Sequence, residues 1–298
     1  MKETRSGFVA IVGKPNVGKS TLLNAFIGEK IAIVSSKPQT TRTNIMGILT
    51  RDETQIVFID TPGMHKPKTK LSEHMIKSIG QSVGDVDVAV MLVNPFGEIT
   101  ESEHELINYF KKNKLPAILV INKIDLVENK EIILERIKNI STLYDFEAII
   151  PISALTKEGV DDLLLKISEF CEVGPHYFPD DSLTDQPERV IVAEIIREKI
   201  LNLLYEEVPH GVAVSVESMK ERKDKHLMDI EAIIYCERAS HKGMIIGKGG
   251  VMLKDIASKS RIDIENFFDI KVNLQCWVKV KDDWRNSEGL IRSFGLNN

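Results

Sequence analysis

The chain has 298 residues, of which 43% are hydrophobic and 28% are charged, a composition that excludes a disordered or fibrous protein. Its formal net charge of -5 argues against a protein that coats nucleic acid through charge alone. No apolar run is long enough to span a bilayer, and the first residues, MKETRSG, lack the apolar core of a secretory signal. The cysteines Cys171, Cys236 and Cys276 are isolated and lack metal-ligand spacing, so we expect reduced thiols in the cytosol.

Between Phe8 and about Phe170, short β-rich runs alternate with helix-like segments. This alternation predicts an α/β domain in which helices cover a mostly parallel sheet. Ligands bind at the carboxyl ends of the strands in such sheets. The predicted strands span residues 8–12, 45–50, 55–59, 86–93, 117–121 and 148–152, and the predicted helices span 19–27, 72–84, 101–112, 130–143 and 160–170.

The stretch EVGPHYFPDDSLTDQP is rich in proline and acidic residues and interrupts this alternation. Beyond it, the patterns predict a helix, two strands, a helix, a GKGG loop, a helix and a strand. We therefore predict domains at residues 1–172 and 188–284, a linker at 173–187 and a C-terminal tail at 285–298.

The segment GKPNVGKS, Gly13 to Ser20, follows the first predicted strand and opens a predicted helix. Its two glycines allow a tight turn whose backbone N–H groups point at phosphate oxygens. Lys19 supplies a positive charge, and the Ser20 hydroxyl can ligate magnesium. A plain glycine turn is the alternative, but the flanking strand and helix favour a phosphate-binding loop.

The motif DTPG, residues 60–63, follows the strand predicted at 55–59. Beside a phosphate loop, Asp60 can hold magnesium through a water molecule, and Gly63 can donate its N–H to the terminal phosphate. Alone, the motif is equally compatible with an ordinary turn.

The motif NKID, residues 122–125, predicts which base is bound. The Asp125 carboxylate can accept hydrogen bonds from N1–H and the exocyclic amine of guanine, whereas adenine has an acceptor at that ring nitrogen. Lys123 can cover the ring, and Asn122 can tie this loop to the phosphate loop. A backbone N–H of Ser153-Ala154-Leu155 can contact the guanine oxygen. The predicted nucleotide is therefore GTP rather than ATP.

The ordered set GKPNVGKS, PQTTR, DTPG, NKID and SAL resembles the translation-factor-like class of small GTPases over roughly the first 170 residues. The resemblance implies that a threonine of the first switch ligates magnesium in the GTP state; Thr41 is the match and Thr40 the alternative. It also implies that GTP orders the segment around Ser36 to Thr43 and that hydrolysis releases it.

The position after DTPG departs from the pattern of many GTPases, in which a glutamine orients the attacking water. Met64 stands there, and because a thioether cannot polarise water, we expect slow intrinsic turnover. His65 is an alternative water-orienting base, although a lone loop histidine is more often solvated. In several relatives an asparagine that matches Asn16 binds potassium in place of an arginine finger, which raises the hypothesis of potassium at Asn16.

The loop Gly247-Lys248-Gly249-Gly250 joins two predicted helices, and between Arg238 and Arg261 six cations accompany one anion. A GxxG turn brings the protein backbone close to a nucleic-acid backbone, although alone it also fits a plain helix connection. The order of the elements resembles an α+β type II KH domain, which implies a cleft for single-stranded RNA. We predict that Trp277 packs in the core, and Trp284 fits packing and base stacking equally well.

The pairing of the two domains closely resembles the Era family of ribosome-assembly GTPases, from the N-terminus to about Trp284, including PQTTR, FPDDSLTD, EIIREK and WVKVK. The resemblance implies a GTP-hydrolysing switch that binds 16S ribosomal RNA near its 3′ end and assists maturation of the 30S subunit. It also implies a cytoplasmic protein that can associate peripherally with the inner face of the membrane. We expect a monomer.

The predicted site residues form four groups. Those predicted to act in hydrolysis are Asn16, Lys19, Thr41 and Gly63, and the magnesium set is Ser20, Thr41 and Asp60. Those predicted to contact GTP or GDP are Gly13, Lys14, Pro15, Asn16, Val17, Gly18, Lys19, Ser20, Thr21, Asp60, Thr61, Pro62, Gly63, Met64, Asn122, Lys123, Ile124, Asp125, Ser153, Ala154 and Leu155. Those predicted to bind RNA are Lys242, Ile246, Gly247, Lys248, Gly249, Gly250 and Lys254.

Two other functions stay open on the sequence. An RNA chaperone that uses GTP only as a structural ligand is one alternative, because Met64 weakens the case for turnover. A membrane-signalling GTPase is the other, and it is disfavoured by the lack of a lipidation motif or a long basic amphipathic helix.

Overall fold

The computed structural model describes residues 3–35, 37, 40, 42, 45–61, 86–205, 208–222, 224–294 and 296. These residues form two compact units. The first contains the described residues of the ranges 1–32, 41–67 and 75–185, and the second contains those of the ranges 33–40 and 186–298. The helix predicted at 72–84 lies outside the described residues, so it stays a prediction.

The strands described in the first unit are β1 (Arg5–Gly13), β2 (Ile45–Arg51), β3 (Thr54–Asp60), β4 (Val88–Val93), β5 (Ala117–Ile121), β6 (Ala148–Pro151) and the short β7 (Glu172–Val173). Their order in the sheet is β2-β3-β1-β4-β5-β6, and β7 pairs with the start of β1. The pairs β2–β3 and β7–β1 are antiparallel, and the others are parallel. The prediction of a mostly parallel sheet is confirmed.

The helices described in the first unit are α1 (Lys19–Ile27), α2 (Glu101–Asn113), α3 (Lys130–Ser141) and α4 (Val160–Ser168). Every residue of β4 and β5 is apolar and buried, as expected of parallel strands that are covered on both faces. The site residues at the carboxyl ends of β1, β3 and β5 therefore stand on a rigid core.

The segment after β7 is hydrogen-bonded to the first unit. The buried side chain of Gln55 accepts from the backbone N–H groups of Tyr177 and Phe178, at 2.8 and 3.0 Å, and donates to the Phe178 carbonyl at 2.9 Å. Further along, the Thr184 hydroxyl donates to the Met46 carbonyl at 2.6 Å. Much of the stretch predicted as a linker thus lies along β2 and β3. It is held there by hydrogen bonds between side chains and backbone groups, which its sequence does not indicate. The predicted domain boundaries themselves stay a prediction.

The strands of the second unit are β8 (Val212–Arg222), β9 (Leu227–Cys236) and β10 (Lys271–Val280), in the order β10-β9-β8. The pair β8–β9 is antiparallel and β9–β10 is parallel. Its described helices are α5 (Glu188–Leu203), α6 (Ala239–Ile246), α7 (Val251–Phe268) and α8 (Glu288–Ser293). This order confirms the predicted α+β arrangement.

The two tryptophans occupy opposite environments. Trp284 is fully buried and donates its Nε1–H to the Gly211 carbonyl at 2.9 Å, so it is a core residue. Trp277, predicted to pack in the core, is 44% exposed. The reason is the alternation along β10, in which its neighbours Cys276 and Val278 face the helices.

The residues predicted as a C-terminal tail pack on the second unit. Arg285 donates two hydrogen bonds to the Glu237 carboxylate, at 2.8 and 2.6 Å, and Ile291 of α8 is fully buried. Among the helices that the structure describes, none combines the length and apolarity needed to cross a membrane.

Candidate functional site

Residues 13–20 form the loop between β1 and α1. Gly13 and Gly18 have φ angles of 148° and 107°, in the region that favours glycine. A Cβ atom at Gly13 would lie 2.6 Å from the Leu92 carbonyl oxygen, and one at Gly18 would lie 2.2 Å from Nδ2 of Asn122. Both glycines are therefore required by the loop and its neighbours.

The Lys19 side chain is buried and folds back over this loop. Its Nζ donates to the carbonyl oxygens of Gly13 and Lys14, at 3.1 Å each. Burial lowers the pKa of Lys19 to about 8, an effect that the Asp60 carboxylate offsets in part. An anion beside a buried ammonium raises its pKa, so a phosphate in the loop would stabilise the charged form.

Ser20, in the first turn of α1, meets the end of β3. Its hydroxyl donates to Oδ2 of the fully buried Asp60 at 2.7 Å. The Thr61 hydroxyl donates to the Ile11 carbonyl at 2.9 Å and fixes the chain directly after Asp60. Hydroxyl and carboxylate oxygens are the ligands that Mg²⁺ prefers, so Ser20 and Asp60 fit this ion.

Asn122 holds three loops together at the end of β5. Its Nδ2 donates to the Val17 carbonyl at 2.8 Å, and its Oδ1 accepts from the Ala154 N–H at 2.9 Å. Lys123 is in a left-handed conformation with a φ of 68°, and its Nζ donates to the Asn16 carbonyl at 2.6 Å. The structure thus brings the NKID and SAL motifs against the phosphate loop.

Asp125 lies in a short 3₁₀ turn, Ile124–Leu126, after this junction. Its Oδ1 accepts a hydrogen bond from the buried Ser153 hydroxyl at 2.6 Å. Asp125 itself is exposed, so a base can reach its carboxylate. The Ser153 contact orients that carboxylate before any ligand binds.

In the second unit, the GKGG loop joins α6 to α7. Gly247, Gly249 and Gly250 have φ angles of 72°, 62° and 80°. A Cβ atom at Gly247 would lie 2.7 Å from Cβ of Met252, so the loop packs closely on the start of α7. Lys248 projects from the loop as an exposed residue.

The surface beside the GKGG loop is apolar and basic. Met244 and Val251 are 52% and 70% exposed, whereas Ile246 packs against the core. Lys242 is half-buried and Lys254 is exposed. Exposed apolar groups next to cations suit a ligand with stacked bases and phosphates.

Four predicted site residues lie outside the described residues: Thr41, Pro62, Gly63 and Met64. Their roles therefore stay predictions. The structure also shows a charged residue that the sequence reasoning missed. Glu103 is fully buried, and its Oε1 lies 3.8 Å from Nζ of Lys14 in the phosphate loop. The spacing of Thr100 and Glu103 predicts a helix cap but gives no sign of this pairing.

The fold and these sites define a phosphate-loop GTPase followed by a KH domain. A family model described as a 50S ribosome-binding GTPase matches residues 8–123, and one described as a KH domain matches residues 207–285. The chain is 51% identical to GTPase Era of Clostridioides difficile (strain 630) over 293 residues, covering 98% of this chain and 99% of that protein. It is 52% identical to GTPase Era of Thermoanaerobacter sp. (strain X514) over 291 residues, covering 98% of this chain and 96% of that protein.

Two solved structures extend this similarity to the whole fold. A variant of Aquifex aeolicus Era bound to GDP and AlF₄⁻ is 38% identical, with a TM-score of 0.95 and coverage of 99% of this chain and 100% of that chain. A second Era structure, in complex with MgGDPNP and nucleotides 1506–1542 of 16S ribosomal RNA, is 38% identical, with a TM-score of 0.94 and the same coverage. The chain belongs to the Era family and is a GTPase.

Proposed function

We propose that this GTPase binds 16S ribosomal RNA near its 3′ end through the KH domain and assists maturation of the 30S subunit. The observation that carries the proposal is the similarity along the whole chain to an Era structure that holds both MgGDPNP and a 16S ribosomal RNA fragment. The GKGG loop, with the exposed Lys248 and the nearby exposed Lys254, supports the same conclusion. A cytoplasmic monomer that can associate peripherally with the membrane is the setting that we propose.

In the nucleotide site, Asp125 reads guanine, Lys123 covers the ring, and residues 13–20 hold the phosphates. The Asn122 bonds to Val17 and Ala154 support this assignment, because they join the base loop to the phosphate loop. Ser20 and Asp60 would hold Mg²⁺ together with Thr41. When bound, the ion neutralises charge on the phosphates.

The hydrolytic step requires positive charge near the phosphates, and Lys19 supplies part of it. Asn16 is the proposed potassium ligand. Its backbone is left-handed, with a φ of 61°, whereas the adjacent Pro15 and Val17 do not have positive φ angles. Gly63 is proposed to donate its N–H to the terminal phosphate. Unchanged turnover after replacement of potassium by sodium, with and without RNA, would remove the potassium proposal.

Binding to RNA is tested with a fragment from the 3′ end of 16S ribosomal RNA. Lys248→Glu replaces a phosphate-neutralising charge with a repulsive one, so we expect binding to weaken at least about tenfold and the salt dependence to become shallower. Lys225→Glu, at an exposed hairpin position of the same unit, is the matched control. Equal affinities of the two variants would contradict the proposed RNA surface.

A further inference from the structure

The phosphate loop is tied to its surroundings on the side of the base. There, the side chains of Asn122 and Lys123 hold the carbonyl groups of Val17 and Asn16. The opposite end of the loop carries Lys14, whose carbonyl accepts a hydrogen bond from the Lys19 ammonium. The position of Lys14 therefore bears directly on the position of Lys19.

The Lys14 side chain faces a buried carboxylate. Its Nζ lies 3.8 Å from Oε1 of Glu103, which makes a charge pair that is too long for a direct hydrogen bond. The other oxygen, Oε2, accepts from the Thr100 N–H at 2.7 Å and from the Thr100 hydroxyl at 2.8 Å. One oxygen thus caps α2, while Oε1 has no hydrogen-bond partner among the described residues and faces the loop.

A second cation shares this oxygen. Nη2 of Arg136 lies 3.8 Å from Oε1 of Glu103, and the Arg136 side chain is 4% exposed. Its Nε and Nη1 donate to the carbonyl groups of Asn94 and Gly97, at 3.2 and 2.7 Å. Arg136 is therefore fixed by backbone contacts, and Glu103 is fixed by the helix cap. Of the three charged groups, Lys14 is the one that the other two can position.

The charge of Lys14 also reaches the base side of the loop. Burial lowers the pKa of Lys123, and the positive charge of Lys14 lowers it further. Glu103 supplies the negative charge next to Lys14 and Arg136, and its carboxylate reduces the repulsion between these two cations.

We propose that Glu103 is a positioning residue for the phosphate loop: its buried carboxylate holds Lys14, and the Lys14 carbonyl in turn holds the Lys19 ammonium in place for the nucleotide phosphates. This inference rests on the proposed assignment of residues 13–20 to phosphate binding. If Glu103 only caps α2 and neutralises Arg136, it stabilises the fold but does not affect the affinity for the nucleotide.

The test is a double-mutant cycle on the affinity for GDP. Glu103→Gln keeps the size and the capping acceptor but removes the charge, and we expect the Kd for GDP to rise about tenfold. Lys14→Met should raise it to a similar extent, and Lys14→Arg, which keeps the ion pair, should stay near the native value. The Glu103→Gln change should add nothing in the Lys14→Met background, because Glu103 acts through Lys14. Glu105→Gln, exposed on the same helix, is the matched control.

The following results would decide against the proposal or its premise. An unchanged Kd for Glu103→Gln, or an equal rise in both backgrounds, would show that Glu103 has only a structural role. If Glu103→Gln fails to fold, an unchanged Kd for Lys14→Met, or equal losses for Lys14→Met and Lys14→Arg, overturns the proposal. Lys19→Ala tests the premise separately: unchanged GDP affinity in that variant would refute the phosphate loop itself.

Discussion

The exchange of Asp125 for asparagine should change the base that this GTPase binds. Ser153 donates its hydroxyl hydrogen to Oδ1 of Asp125 at 2.6 Å. In the Asp125→Asn variant, this donor would hold the amide oxygen, so the NH₂ group would face the base. Guanine presents N1–H and an amine to that position, and two sets of donors would then oppose each other.

The expected loss follows from the two hydrogen bonds that guanine makes to the carboxylate. Hydrogen bonds to a charged group contribute ~1.5–3 kcal/mol each, so the loss of both should cost ~3–6 kcal/mol. The Kd for GDP should therefore rise by a factor of ~10² to ~10⁴. Xanthine has a carbonyl oxygen in place of the amine, which can accept from the new NH₂ group, so affinity for xanthosine diphosphate should increase.

The assay is competition of GDP and xanthosine diphosphate against a fluorescent nucleotide. Glu128→Gln removes an exposed carboxylate close to the same turn and serves as the control. If Asp125→Asn binds GDP as tightly as the native protein, or loses both nucleotides equally, the assignment of Asp125 as the guanine-reading residue is refuted.

Three further predictions concern pH and packing. The pKa of Lys19 is about 8 in the nucleotide-free loop, so GDP affinity should be full below that pH and decrease above it, and a flat titration up to about pH 10 would contradict this. Trp284→Ala should lower the free energy of unfolding by ~3–5 kcal/mol, and Trp277→Ala by less than ~1 kcal/mol, in urea titrations; equal losses would contradict the burial argument. The hydrogen bond to Asp180 raises the pKa of His176 above its ordinary 6.5, so its contribution to stability should be full below pH 6.5 and disappear as the pH rises through the raised value. Thermal unfolding of His176→Gln should lack this step, and an unchanged pH dependence would count against it.

The nucleotide loops could be predicted from the sequence because each one is a continuous motif at the end of an apolar strand. Residues 13–20, Asp60 and Asn122 all lie where the alternation of strands and helices places them. The buried strands β4 and β5 were equally predictable, since short runs of consecutive apolar residues are typical of parallel strands that are covered on both faces.

Contacts between residues far apart in the chain could not be predicted in the same way. The pairing of Glu103 with Lys14 joins residues on different elements, and the spacing of Thr100 and Glu103 indicates only the helix cap. The Gln55 bonds to Tyr177 and Phe178 are of the same kind. Trp284 shows a further limit, because it lies in a short turn after β10, where no periodic pattern indicates its burial. The exposure of Trp277, in contrast, follows from the alternation along β10, which places it on the face opposite Cys276 and Val278.

The affinity for RNA in each nucleotide state tests most directly the central claim, that this GTPase is a GTP-hydrolysing switch that binds 16S ribosomal RNA. The measurement is the Kd of the native protein for a 3′-end fragment of 16S ribosomal RNA, with a non-hydrolysable GTP analogue and with GDP. We predict binding at least about fivefold tighter with the analogue, and by linkage an equal increase in the affinity for the analogue when RNA is present. Equal RNA affinity in the two states would contradict the account.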